Sequence, residues 1–62
     1  MFAEFKTIDG NKIAIDPRQV AAIQDLDGST IVFVGQFELR IDMAYDQVMK
    51  ILIAANGQTI GR

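Results

Sequence analysis

The stretch Ile8–Ile23, IDGNKIAIDPRQVAAI, decides how the rest of the chain is organised. Its Asp9-Gly10 pair lies between two extended runs and is a strong local signal for a β-hairpin, because glycine accepts the positive φ of a type I′ turn. Polar and apolar residues then alternate over Lys12–Asp16, which predicts a strand with its two isoleucines facing inward. The stretch therefore predicts a hairpin that leads into an Asp-Pro break.

The residues after that break allow two interpretations. Asp16, Pro17 and Gln19 have the spacing of a helix N-terminus, with Asp as the N-cap and Pro at the first helical position. Apolar spacing would carry such a helix from Pro17 to about Leu26. The alternative is a single helical turn at 17–19, followed by a strand over Val20–Asp25. Intrinsic propensity leans slightly towards the helix.

A short internal similarity favours the strand. Ile8–Ile15 and Leu26–Phe33 align eighteen positions apart, and each places an Asp-Gly pair and a small polar residue before a β-rich run. If both are hairpins, the strand that enters the second must occupy Val20–Asp25. We therefore predict strand, single turn, strand for this part of the chain.

The remaining elements follow from composition and alternation. Phe2–Ile8 and Thr30–Val34 are rich in residues that favour strands, and Phe37–Ile41 alternates with Phe37, Leu39 and Ile41 inward. A helix is predicted over 44–55, capped by Asp42 and ended by Asn56-Gly57. The fold class is thus β-dominated α+β: about five short antiparallel strands in a curled meander or small barrel, with one C-terminal helix. We predict one domain over residues 1–57 and a flexible tail over 58–62.

Length and composition point to self-association. A chain of 62 residues buries little surface, yet half of its residues are hydrophobic and it contains no cysteine for a disulfide. Oligomerisation is the remaining way to stabilise such a chain. The predicted helix has two adjoining apolar stripes: a core stripe of Val48, Ile51, Leu52 and Ala55, and a second stripe of Tyr45, Met49 and Ile53. We expect an oligomer interface on the second stripe and beside it. The expected interface residues are Tyr45, Met49, Leu52 and Ile53.

The sequence does not indicate catalysis. It contains no histidine, and its single serine, Ser29, lies in a predicted turn where serine is common for other reasons. The Asp25–Ser29 segment lacks the further oxygen ligands of a calcium loop. We predict no catalytic residue, no metal site, no cofactor and no enzymatic activity. The start of the chain has no apolar run of signal length, and no segment is apolar for the ~20 residues of a membrane span, so we expect a cytoplasmic protein without membrane insertion.

Basic residues form the second functional hypothesis. The net charge is −2, which argues against binding nucleic acid mainly through phosphate neutralisation. A local basic patch can still contact a ligand or partner, and Lys6, Lys12, Arg18 and Arg40 are the candidates. Glu4 and Glu38 share faces with Lys6 and Arg40, which favours cross-strand charge pairing on a solvated surface.

The succession of motifs resembles the FlbD-like family of small flagellar (swarming motility) proteins and similar short phage and bacterial proteins. The resemblance rests on Asp9-Gly10, the strand before Asp16-Pro17, and the run that ends at Gln24. Further along the chain, Thr30-Ile-Val, Gly35, Leu39-Arg-Ile41 and Tyr45-Asp-Gln-Val48 match the family's order, so that residues 2–54 are covered. The resemblance implies a β-ribbon domain with a C-terminal helix that acts through protein–protein contacts. It supplies no functional residues.

Two functions are therefore expected from the sequence. The first is a non-enzymatic, homo-oligomeric protein–protein interaction module that resembles FlbD-like flagellar accessory proteins. The second is a small-barrel protein that binds nucleic acid or nucleotides. This second hypothesis includes a protein encoded by a phage.

Overall fold

Within residues 1–56 the chain forms five antiparallel strands followed by one helix, as the sequence predicts. A computed structural model describes residues 1–56, so Gly57 and the predicted tail 58–62 lie outside the described residues. The third, fourth and fifth strands have the predicted bounds, and the helix is shifted by one residue. The strands are β1 (Ala3–Lys6), β2 (Lys12–Ile15), β3 (Val20–Asp25), β4 (Thr30–Val34) and β5 (Phe37–Ile41), and the helix is α1 (Tyr45–Asn56).

The strands form a two-stranded sheet, β1-β2, and a three-stranded sheet, β3-β4-β5. The two are joined where β1 ends against β5. The backbone N–H of Ile8 donates to the carbonyl of Arg40 at 3.1 Å, and that of Asp42 donates to the carbonyl of Lys6 at 2.9 Å. The meander thus curls so that β2 and β3 become its two outer strands. It does not close into a barrel, because β2 and β3 are not paired with each other.

The two Asp-Gly pairs form hairpins with different loops. Asp27 and Gly28 form a two-residue loop in which both have positive φ, 59° and 119°, the signature of a type I′ turn. In the first hairpin only Gly10 has positive φ, and its N–H donates to the carbonyl of Thr7 at 2.9 Å. Thr7 N–H in turn donates to the carbonyl of Asn11, which gives a three-residue loop that ends in glycine. The type I′ prediction for Asp9-Gly10 is therefore wrong, although the hairpin is present.

The Asp-Pro break is a single 3₁₀ turn over Pro17–Gln19, which confirms the second of the two interpretations. Asp16 is its N-cap, and its side chain accepts a hydrogen bond from the backbone N–H of Arg18. The chain returns to extended geometry at Val20, whose N–H donates to the carbonyl of Pro17 and so ends the turn. This turn carries the chain from one outer strand to the other.

The core lies between the curled sheet and α1. Val32 of β4 and Ile41 of β5 are fully buried, and they belong to one apolar cluster with Val48 of the helix. Phe37 has the inward parity of Ile41 but is 70% exposed, so its predicted inward position is wrong. It is the first residue of β5, immediately after the turn, and it is not among the residues that pack on the core. The buried core consists of Ala3, Phe5, Ile15, Val32, Ile41, Val48 and Leu52.

The helix is fixed at its start by the chain that precedes it. Ala44, not Asp42, precedes the first helical residue, and its carbonyl accepts the N–H groups of Gln47 and Val48. No hydrogen bond of the Asp42 side chain is found within residues 1–56, so the predicted Asp42 cap is wrong. The hydroxyl of Thr30, which is fully buried, donates to the carbonyl of Met43 at 2.8 Å. This bond ties the beginning of β4 to the segment that leads into α1.

Candidate interaction site

An apolar groove lies between α1 and the outer strand β3. Its volume is about 190 Å³. Leu52 is only 5% exposed and belongs to the core, so it forms part of the floor of the groove, whereas Ile53 is 56% exposed and stands at its rim. Three of the four residues predicted for an oligomer interface thus differ in burial: Leu52 is buried, Met49 is half-buried and Ile53 is exposed. The groove is lined by Pro17, Val20, Ile23, Met49, Leu52, Ile53 and Asn56.

The groove unites segments that are far apart in sequence. The 3₁₀ turn and β3 supply one wall, and two turns of α1 supply the other, so the helix rests against the turn as well as against the sheet. Tyr45, the fourth predicted interface residue, begins α1 and is half-buried, and it does not line the groove. Sequence reasoning found the helical wall from its apolar stripe and missed the wall formed by Val20 and Ile23.

One long side of β3 is open beside this groove. In the described part of the chain β3 pairs only with β4. Leu26 N–H donates to the carbonyl of Ser29, so antiparallel alternation turns the backbone N–H and C=O of Ile23 and Asp25 away from β4. From Ala21 to Gln24 the strand carries no charge and no proline, the usual protection of an exposed edge. An irregularity between Val20 and Ala22 leaves the regular part of the edge at residues 22–25.

Arg18, the residue expected to contact a ligand, is engaged by its own neighbour. Its Nη2 lies 3.1 Å from Oδ2 of Asp16, and its Nε donates to Oδ1 at 3.2 Å. These hydrogen bonds hold the pKa of the Asp16 carboxyl below its usual value, and they raise the pKa of the guanidinium. The Arg18 side chain is nevertheless 73% exposed and lies next to the start of β3. It can therefore meet a second carboxylate on a molecule that approaches this edge.

The other three basic residues come together elsewhere. Lys6 and Lys12 are register partners on β1 and β2, so their side chains emerge on the same face. Arg40 lies on the neighbouring β5, whose backbone bonds to the residues around Lys6. All three are exposed and face away from the core. The predicted pairing of Lys6 and Arg40 with Glu4 and Glu38 is not found, since Arg18–Asp16 is the only ion pair within residues 1–56.

The described residues contain no group of three or more acidic side chains placed to hold a metal ion. Within residues 1–56 no helix combines the length and the apolar character needed to cross a membrane. Comparison of the chain with protein-family models, curated proteins and solved structures found no match.

Proposed function

We propose that this chain is a non-enzymatic protein–protein interaction module that works as a homo-oligomer through the groove between α1 and β3. The observation that carries the proposal is the exposed Ile53 at the rim of an apolar groove whose floor continues into the core. Burying apolar surface contributes about 25 cal/mol per Å², and a chain of this size has little interior in which to gain that energy alone. A partner that covers the groove buries additional apolar surface directly beside the core of the monomer.

The partner in this proposal is in the first place another copy of the chain. Half of the 62 residues are hydrophobic, and several large apolar side chains are exposed in the monomer, among them Ile53 at 56%. The helix supports the proposal because Val48 and Leu52 of its core stripe are buried. In its second stripe, Tyr45 and Met49 are half-buried and Ile53 is exposed. The resemblance to FlbD-like proteins extends the proposal to a flagellar accessory role. Flanking flagellar genes would support that role, and flanking phage genes would count against it.

Sedimentation velocity of the full chain between about 1 and 500 μM tests the proposal. We expect an oligomer that Ile53→Asp converts to monomer, because a carboxylate at the rim would have to be desolvated on association. Phe37→Asp is the matched control: Phe37 is also exposed and apolar, at 70%, but lies outside the groove. A wild-type chain that is folded and monomeric over the whole range would contradict the proposal.

A second candidate function rests on three cations of β1, β2 and β5, which share their face of the sheet with Glu4 and Glu38. Lys6, Lys12 and Arg40 are exposed on one side of the sheet, which supports binding of a nucleic acid or nucleotide through phosphate contacts. Fluorescence titration with a single-stranded oligonucleotide at 50 mM salt tests it. Lys6→Gln combined with Lys12→Gln should weaken binding and reduce its salt dependence. Arg18→Gln, which changes a cation outside this face, should leave binding unchanged. Absence of binding by the wild type at this salt concentration would exclude phosphate-driven recognition.

A further inference from the structure

The open side of β3 is the part of the groove that the proposed function leaves unexplained. Ile23 and Asp25 turn their backbone N–H and C=O groups outward, and no strand in the described part of the chain meets them. Such an edge can accept a further antiparallel strand, and the groove beside it can accept the apolar side chains that come with that strand. We propose that two copies of this chain pair their β3 strands antiparallel across a twofold axis, which makes one continuous sheet. This inference rests on the proposed homo-oligomer and specifies its geometry.

Charge distribution along β3 identifies a second copy as the occupant. The strand is preceded by Arg18, which is paired with Asp16 but is 73% exposed, and it is followed by two carboxylates, Asp25 at its last residue and Asp27 in the loop after it. In a symmetric antiparallel pair centred on Ile23, the start of one strand lies beside the end of the other. Arg18 of each copy then lies near the partner's Asp27, which is opposite Gln19. A parallel arrangement would instead bring the carboxylates of Asp25 and Asp27 of the two copies together.

The groove supports the same arrangement. Val20 and Ile23 belong to β3 and line the groove together with Met49 and Ile53 of α1. When the two β3 edges meet, the grooves of both copies adjoin across the axis, and the exposed Ile53 of each copy faces the junction. The small exposed side chains of Ala21 and Ala22 leave the edge open to a close approach. The irregularity between Val20 and Ala22 limits regular pairing to residues 22–24, on either side of the axis at Ile23.

The other outer strand is a poorer edge for such pairing. Strand β2 has four residues, begins at the charged Lys12 and is followed by the Asp16-Pro17 break. Charged residues and proline are features that protect an exposed edge against strand addition. Thr7 and Asn11 are joined by a backbone hydrogen bond, and antiparallel alternation from this pair turns the N–H of Ala14 away from β1. The N–H of Ala14 on β2 thus points outward, like the N–H of Ile23 on β3. Ala14 therefore provides a matched internal control.

Amide hydrogen exchange, followed by NMR on the full chain at about 10 μM and about 1 mM, tests the pairing. We expect the N–H group of Ile23 to exchange at least tenfold more slowly at the higher concentration, whereas that of Ala14 does not change. If sedimentation shows an oligomer and the Ile23 amide is not protected, the strand pairing is wrong while the proposed function stands. If the chain is monomeric throughout, both fail.

Charge exchange provides an independent test of orientation. Arg18→Glu and Asp27→Lys each place like charges together in the antiparallel pair, and each should raise the dissociation constant of the dimer at least threefold at low salt. The double variant restores opposite charges and should recover part of the affinity. Lys50→Glu, on an exposed position of α1 outside the groove, is the control and should have no such effect. If the losses of affinity of the two single variants simply add up in the double variant, the antiparallel pairing is wrong.

Discussion

The hydroxyl of Thr30 donates a hydrogen bond to the backbone carbonyl of Met43 at 2.8 Å, and Thr30 is fully buried. The bond joins the first residue of the central strand β4 to the segment between β5 and α1. Because the helix begins two residues after Met43, this contact helps to set the position of the helix over the sheet. The position of α1 in turn determines the width of the groove.

Replacing Thr30 with valine should therefore destabilise the fold. Valine has a similar shape but leaves the Met43 carbonyl without its partner, which costs about 1–3 kcal/mol for a buried acceptor. Urea denaturation followed by circular dichroism measures the loss. Thr7→Val is the matched control, because the Thr7 hydroxyl only accepts a 3.3 Å bond from Asn11 N–H in an exposed loop. Equal losses in the two variants would contradict the importance of the buried bond.

The contact between Asp16 and Arg18 predicts a dependence of stability on pH. Side-chain and backbone hydrogen bonds from Arg18 lower the pKa of Asp16 in the folded chain. A carboxyl whose pKa is depressed by folding stabilises the native state above its unfolded pKa, about 3.9, and this contribution is lost as the pH falls through the folded pKa. Wild type should thus be more stable than Asp16→Asn at pH 7, and the difference should shrink below about pH 4.

An NMR titration of the Asp16 carboxyl carbon checks the cause directly. In the wild type the midpoint should lie below the usual value for aspartate, and in Arg18→Gln it should move upward. The side chain is exposed to solvent, so added salt should reduce the difference between the two proteins. An identical midpoint in both proteins would show that Arg18 is not the source of the shift.

The local features of the fold could be read from the sequence. Alternation and turn residues gave β3, β4 and β5 their observed bounds, and the recurrence of Asp-Gly distinguished a 3₁₀ turn from a helix after Asp16. These features depend on neighbouring residues, whose φ preferences and side-chain periods act over a few positions. The Asp16–Arg18 pair is equally local, and it could have been anticipated from an N-cap aspartate with a cation two residues later.

Features that depend on distant contacts could not be predicted in this way. Phe37 shares the parity of Leu39 and Ile41, but parity does not show how much of the strand is covered by other residues. The core does not extend to the start of β5. The groove likewise needs the 3₁₀ turn and α1 side by side, about thirty residues apart in the chain. The helix stripe with Met49 and Ile53 was visible as an apolar pattern. Its opposite wall on β3 was not, because a strand's outer edge is defined only by the pairing of the whole sheet.

The two-residue loop between β3 and β4 predicts a backbone effect that is separate from packing. Gly28 has φ 119°, and a Cβ built there would meet no atom within 4 Å. Gly28→Ala should still destabilise the fold by about 1–2 kcal/mol, because side chains of L-residues are disfavoured at such positive φ. Asp27 also has positive φ, 59°, which asparagine tolerates well, so Asp27→Asn should change stability by less. Chemical denaturation of both variants measures the difference, and a neutral Gly28→Ala would contradict the strain argument.

The last prediction concerns Ile41, which is fully buried and joins the two sheets through its bridge to Thr7. Ile41→Val removes one methylene from the core and should lower the free energy of unfolding by about 0.5–1.5 kcal/mol. Ile8→Val is the matched control: Ile8 is next to Thr7 in the chain but 49% exposed, so the same deletion should cost much less. Urea denaturation at about 10 μM, with oligomerisation checked by sedimentation, makes the comparison. Because Ile41 does not line the groove, Ile41→Val should not alter the protection of the Ile23 amide at high concentration. The comparison thus separates the stability of the monomer from the pairing of two copies.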